Sequence, residues 1–120
     1  MIVDKGKKRI AELITGIEDG SRTTFTQVRV GDGGDSTSMS QTTLDSQVAN
    51  KAVTPTLVGN TLIYEIELLG SDLSSNVISE LGIFDGTGAD ANMLCRVSFD
   101  PIGPITASET LTFNFRVEIE

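Results

Sequence analysis

Apolar and polar residues alternate most regularly over residues 110–120. Leu111, Phe113, Phe115, Val117 and Ile119 fall on one face, and Thr110, Thr112, Asn114, Arg116 and Glu118 on the other. A period of two marks a strand with one face buried. The same period runs through 61–69, where Leu62, Tyr64, Ile66 and Leu68 alternate with Ile63, Glu65 and Glu67. Between these two lies the stretch that organises the chain, residues 77–99. It reads as a half-buried antiparallel hairpin. Val77, Ser79, Leu81 and Ile83 share a face of the first strand, and Met93, Cys95, Val97 and Phe99 a face of the second. Two glycines and two aspartates in 85–92 supply the turn.

The period changes at the N-terminus. Ile10, Leu13, Ile14 and Ile17 follow the i, i+3, i+4, i+7 spacing of a buried helical face. This predicts a helix over about 4–17, with Asp4 as its cap and Gly16 and Gly20 near its end. Residues 25–30 read as a short strand. The glycine- and serine-rich run at 31–41 breaks all periodicity and predicts a mobile surface loop. Residues 42–48 suggest one or two helical turns, with Leu44 and Val48 inward. Residues 51–58 are extended, but Pro55 confines them to an edge or a bulge. Gly59-Asn60 then predicts a hairpin turn between 53–58 and the strand at 61–69. Pro101, Gly103 and Pro104 exclude a central strand after 99. The expectation is one domain over 1–120, mainly β (α+β), with an antiparallel β-sandwich-like core over about 51–120 and an N-terminal helix.

Composition narrows the function by subtraction. A chain of 120 residues can bury a core without staples, and no apolar run is long enough to cross a membrane. The net charge of −8 argues against nucleic acid as the main partner. Cys95 is the only cysteine and falls on the inward face of a strand, so an inert buried thiol is expected. There is no histidine, no Cys–His pair and no GxSxG. The glycine-rich run GDGGD is not followed by the lysine of a phosphate loop. Glu65 and Glu67 lie about 7 Å apart by strand geometry, near a glycosidase spacing, but no tryptophan and a single tyrosine accompany them. Asp32 with Asp35, or Asp85 with Asp90, offers loop oxygens to calcium without an EF-hand spacing. The reading is a non-enzyme without cofactor or metal. The basic cluster Lys5, Lys7, Lys8 and Arg9, with Asp32 and Asp35, forms the candidate partner-contact set, solvated or facing an acidic neighbouring copy.

The order of these elements resembles the N-terminal region of tailed-phage tail-collar fibre proteins, and small stand-alone phage tail structural proteins of the same layout. The resemblance is carried by VDKGKKRIAELITG at 3–16, by VRVGDGGD at 28–35 with TTLDSQVANKAV at 42–53, and by IYEIELLG, VISELGIFDGTG and LCRVSF in that order. It implies a virion structural protein, located in the tail rather than the capsid. Other virion proteins (tail, baseplate or fibre subunits) are the implied partners, with a homo-oligomer of threefold symmetry favoured. The chain stops where such fibres continue into shafts and tips, which leaves a receptor-binding role without its usual part. Two alternatives stand beside it, a capsid decoration or head-fibre protein and a carbohydrate- or receptor-binding module.

Overall fold

A computed structural model describes residues 2–15, 24–35, 37–73 and 76–119. Among these, one α-helix, α1 (Asp4–Thr15), is followed by seven strands: β1 (Gln27–Gly31), β2 (Gln47–Ala52), β3 (Thr56–Val58), β4 (Thr61–Leu69), β5 (Ile78–Phe84), β6 (Met93–Ile102) and β7 (Thr110–Glu118), with a short 3-10 turn (Gly70–Asp72) between β4 and β5. They form a four-stranded sheet in the order β2-β1-β5-β6 and a three-stranded sheet in the order β3-β4-β7, with every pairing antiparallel. The fold is mainly β with an N-terminal helix, as expected.

The two sheets close over one apolar core. Val28, Val30, Leu81, Ile83 and Cys95 from the larger sheet meet Tyr64, Ile66, Leu68 and Val117 from the smaller. Burying each such side chain contributes roughly 1.5–3 kcal/mol. The alternation in β4 survives intact, with Tyr64, Ile66 and Leu68 buried and Glu65 and Glu67 exposed. The hairpin of β3 and β4 turns at Gly59-Asn60, and β3 is a three-residue edge strand behind Pro55.

The opposite face of the larger sheet is covered too, by α1 and the loop that precedes β2. A second apolar cluster of Val3, Leu44, Phe84, Ala91 and Met93 fills that interface. The hairpin expected to be half-buried is therefore buried on both faces along all of β5. A register shift beside Phe84 pairs it with Met93, which joins this second cluster instead of the face shared by Cys95. A second shift near Ile78 places that residue in the main core, where the sequence suggested Val77 and Ser79.

Four further local expectations are corrected. Residues 42–48 form no helical turn; they are loop until β2 begins at Gln47, although Leu44 does face inward. The sheets also draw on β1 and on the part of β2 that precedes residue 51. Among the described positions, Val3 just before α1 and Gly6 and Arg9 within it are buried, while Ile10 is half-buried and Leu13 is 37% exposed; the Ile14 side chain lies outside the description. Ile17, Gly16 and Gly20 lie outside the described residues. The first carbonyl of the helix is that of Val3, which accepts the Lys7 N–H at 3.0 Å, so Asp4 opens the first turn instead of capping it.

Close backbone contact explains this rotation of α1. A Cβ at Gly6 would sit 2.6 Å from both Cα and O of Leu94, so the helix lies directly against β6. The Val3 N–H bonds the Leu94 carbonyl at 2.9 Å, and Ile2 bridges Cys95. Gly6→Ala should gain up to about 1 kcal/mol in helix propensity yet lose more through overpacking. A net destabilisation of about 1–2 kcal/mol is expected, measured as a lower urea midpoint with an unchanged m-value.

Candidate functional site

Glu80 lies mid-strand in β5, on the face of the larger sheet away from the main core, and is fully buried. An ionised carboxylate there requires donors. It receives four. Arg96 Nε, from the adjacent β6, donates to Oε1 at 2.9 Å, as does the Asp45 N–H at 2.9 Å. The N–H groups of Gly33 and Ser46 donate to Oε2, both at 2.8 Å. Three of the four donors are therefore backbone groups of the segment between β1 and β2.

Arg96 spends its remaining donors on that same segment. Its Nη1 bonds the Asp35 carbonyl at 2.6 Å and the Thr37 hydroxyl at 3.1 Å, and its Nη2 meets Asp45 Oδ2 at 3.1 Å. Two of the three glycines of GDGGD answer a spatial demand: a Cβ on Gly33 would collide with the Glu80 carboxylate and the Asp45 side chain, and one on Gly31 with the Ser46 carbonyl, whereas Gly34 has open space around it. The Asp4 N–H bonds the Met39 carbonyl at 2.9 Å, which joins the loop to α1. The segment expected to be a mobile loop is irregular in backbone, as expected, and is tied to the sheet at Gly33, Asp35, Thr37, Asp45 and Ser46.

A second buried cluster holds the 85–92 turn. Asp85 Oδ1 accepts the Asn92 N–H at 2.6 Å, and Oδ2 accepts Asn92 Nδ2 at 2.8 Å. Arg9 Nε lies 2.9 Å from the same Oδ2, an ion pair whose angle falls short of a hydrogen bond. Arg29, on β1, donates from Nη2 to the carbonyls of Gly86 and Gly88 at 3.0 and 2.8 Å. Its guanidinium carbon stands 4.0 Å over the Phe84 ring. That cation–π contact compensates a buried Nε for which the described residues offer no hydrogen-bond partner.

The expected contact residues divide. Lys7, Lys8, Asp32 and Asp35 are exposed and Lys5 is half-buried, all within the layer of α1 and loop over the larger sheet. Arg9 is corrected: it is buried against Asp85 and presents no surface charge. Asp85, one half of a calcium pair considered from the sequence, is fully buried and engaged by Arg9 and Asn92. The residues missed were Glu80, Arg29 and Arg96. Their signal was present, since three charged residues interrupt otherwise apolar strands at VRV, SELG and LCRV.

The titration of these groups follows their partners. Burial opposes the ionisation of Glu80, but Arg96 and the three backbone N–H groups outweigh it and hold the carboxyl below the ordinary range. Burial lowers Arg29 while Asp85 opposes the shift. Burial pushes the Cys95 thiol up to about 12, so it stays protonated and unreactive. Burial and the neighbouring Cys95 raise the Tyr64 phenol, whose hydroxyl donates to the Phe25 carbonyl at 2.8 Å. With both Glu80 oxygens doubly engaged, the cluster is built to hold a loop, and neither oxygen is open to a substrate or metal. Among the described residues, no three His, Cys, Asp or Glu side chains converge as a metal site. No protein-family model matches the chain, and no curated protein matches it.

Two outcomes follow from this geometry. A carboxyl depressed on folding contributes stability above its unfolded pKa, and that contribution is lost as pH falls through the folded value. The Glu80 contribution to unfolding free energy should therefore be level from about pH 5 to neutral and decline progressively in more acidic solution. Glu80→Gln should flatten part of that decline in urea titrations run at successive pH values. Arg96→Ala leaves Glu80 buried without its cation, a loss of about 3–5 kcal/mol. Limited proteolysis of this variant should cut first within residues 32–46, a site resistant in the parent chain.

Proposed function

We propose that this chain is a non-enzymatic structural protein of a tailed-phage particle, a fibre-attachment, collar or baseplate component of the tail. One observation carries the reading. The segments on which the resemblance rests converge in space, and their residues build architecture. Gly33 of VRVGDGGD donates to Glu80 of SELGIFD, Glu80 pairs with Arg96 of LCRVSF, and Gly6 of the N-terminal segment seats α1 on β6. A module used in many copies requires a loop and helix held rigidly over a sheet, and the two buried clusters serve that purpose.

The surface they support is the docking candidate. Lys7, Lys8, Asp32 and Asp35 are exposed on it, beside Met39 at 36% exposure. Its partners are neighbouring virion proteins, and a homo-oligomer with threefold order is what the resemblance implies. Glu65 and Glu67, the one carboxylate pair with a glycosidase-like spacing, lie exposed on the outer surface of the smaller sheet without an enclosing cleft.

The test is the location and copy number of the chain in intact particles, mapped with labelled copies by cryo-electron microscopy. Density at the collar, baseplate or fibre base in threefold or sixfold numbers is expected. Hundreds of copies over the shell would overturn the tail assignment in favour of capsid decoration. Absence from particles would overturn both, and glycan binding by the isolated chain would then favour the carbohydrate-binding alternative.

A further inference from the structure

Open sheets end in unpaired backbone groups, and the four edges here differ in what discourages a further strand. β2 carries Lys51, whose ammonium reaches across to the Glu67 carbonyl. β3 is three residues long, follows Pro55 and pairs only with residues 61–63, beyond which the Lys51 ammonium occupies the Glu67 carbonyl of β4. β6 is bridged by Ile2 at Cys95, its Leu94 and Arg96 carbonyls accept from the Val3 N–H and the Thr37 hydroxyl, and Pro101 interrupts its far end. The edge of β7 differs. It pairs with β4 along its whole length, and among the described residues no strand, bridge or proline occupies its other side.

The side chains of β7 also lack a cover. Leu111, Phe113 and Phe115 point into the sandwich but are only half-buried, whereas their partners on β4, Leu68, Ile66 and Tyr64, are buried. Phe99 on β6 meets Phe113 with ring centroids 5.6 Å apart and is itself half-buried. Both layers therefore gape along one flank, about 30 Å long for nine strand residues.

We infer that this flank binds a second copy of the chain, edge to edge, through an antiparallel β7–β7 pair about a two-fold axis at Asn114. The occupant is read from self-complementarity. Asn114 is the midpoint of the nine residues of β7, so a two-fold there pairs the full strand without overhang. Inside, each Phe113 faces the other copy's Phe115, and Leu111 faces Val117. Outside, Arg116 faces Thr112 and Glu118 faces Thr110, so no like charges oppose. The axis is normal to the sheet, which places both larger sheets on the same side and brings the two Phe99 flanks together. The smaller sheet becomes six strands, β3-β4-β7-β7-β4-β3. This two-fold contact stands on the strand edge and is independent of the virion reading; three such pairs around a threefold axis make six copies.

Native mass spectrometry across a concentration series tests it. The parent chain should be in monomer–dimer equilibrium. Thr112→Lys places a lysine opposite each Arg116 at an exposed position, and two such like-charge pairs per dimer should weaken it roughly tenfold, with circular dichroism unchanged. Asn114→Cys sets the two new thiols at the axis and should give a covalent dimer on mild oxidation, while Thr56→Cys on β3 should not. A parent chain that is monomeric at every concentration, or trimeric, overturns the inference. So does a dimer that Asn114→Cys fails to trap.

Discussion

A carboxylate in the middle of a fully buried strand can be tolerated only if donors replace the water it has lost, and Glu80 sets that condition for this fold. Burying an unpaired carboxylate costs several kcal/mol or neutralises it. One arginine supplies one direct bond; the rest come from backbone N–H groups of a segment more than 30 residues upstream. The loop must therefore return to the sheet in a fixed path, and Gly33 is where a side chain would block it. Arg96 then clamps the outer turns of the same loop through Asp35, Thr37 and Asp45. Leu44 is carried inward to Phe84 and Met93, which completes the second core on which α1 rests. Apolar residues of similar volume could make a core as stable, but they would not specify which loop covers it.

The legible parts of the chain were those with a single buried face. β4 matches its sequence reading from Tyr64 to Leu68, where the outer face is solvated and the alternation is unbroken. β7 shows the same alternation, and its half-buried phenylalanines mark the flank where the second layer stops short. β1 and β5 were harder, since burial on both faces removes alternation as a guide. Residues 42–48 resembled one or two helical turns because Leu44 and Val48 stand four residues apart. The N–H groups of Asp45 and Ser46 between them instead bond Glu80, 35 and 34 residues away, a demand that no local pattern contains. In α1 the apolar spacing pointed to Leu13, but the absence of a Cβ at Gly6 decided the orientation.

The buried arginines were unreadable for a related reason. A basic residue in the first turns of a helix is usually solvated, and Arg9 departs from this only because Asp85 waits beneath it. Its burial, with that of Arg29 and Arg96, withdraws three positive charges from the surface against two negative ones, Glu80 and Asp85. A chain already at −8 thus presents a surface more acidic than its composition suggests.

That charge constrains how copies can meet. Broad acidic faces repel at low ionic strength, with a range of about 10 Å at 0.1 M salt, so association must run through groups that carry little charge. A strand edge meets this condition. Its affinity comes from backbone hydrogen bonds and apolar side chains, and opposed residues such as Thr112 and Arg116 add no like-charge conflict. Lys7 and Lys8 offer the complementary route, an exposed basic cluster on an acidic molecule. The two routes respond oppositely to salt. Screening relieves the general repulsion and strengthens edge pairing, whereas it weakens any contact made by the lysines. The distinction matters for assembly, since a neutral edge and a charged helix face can be engaged in turn by changing partner without changing fold.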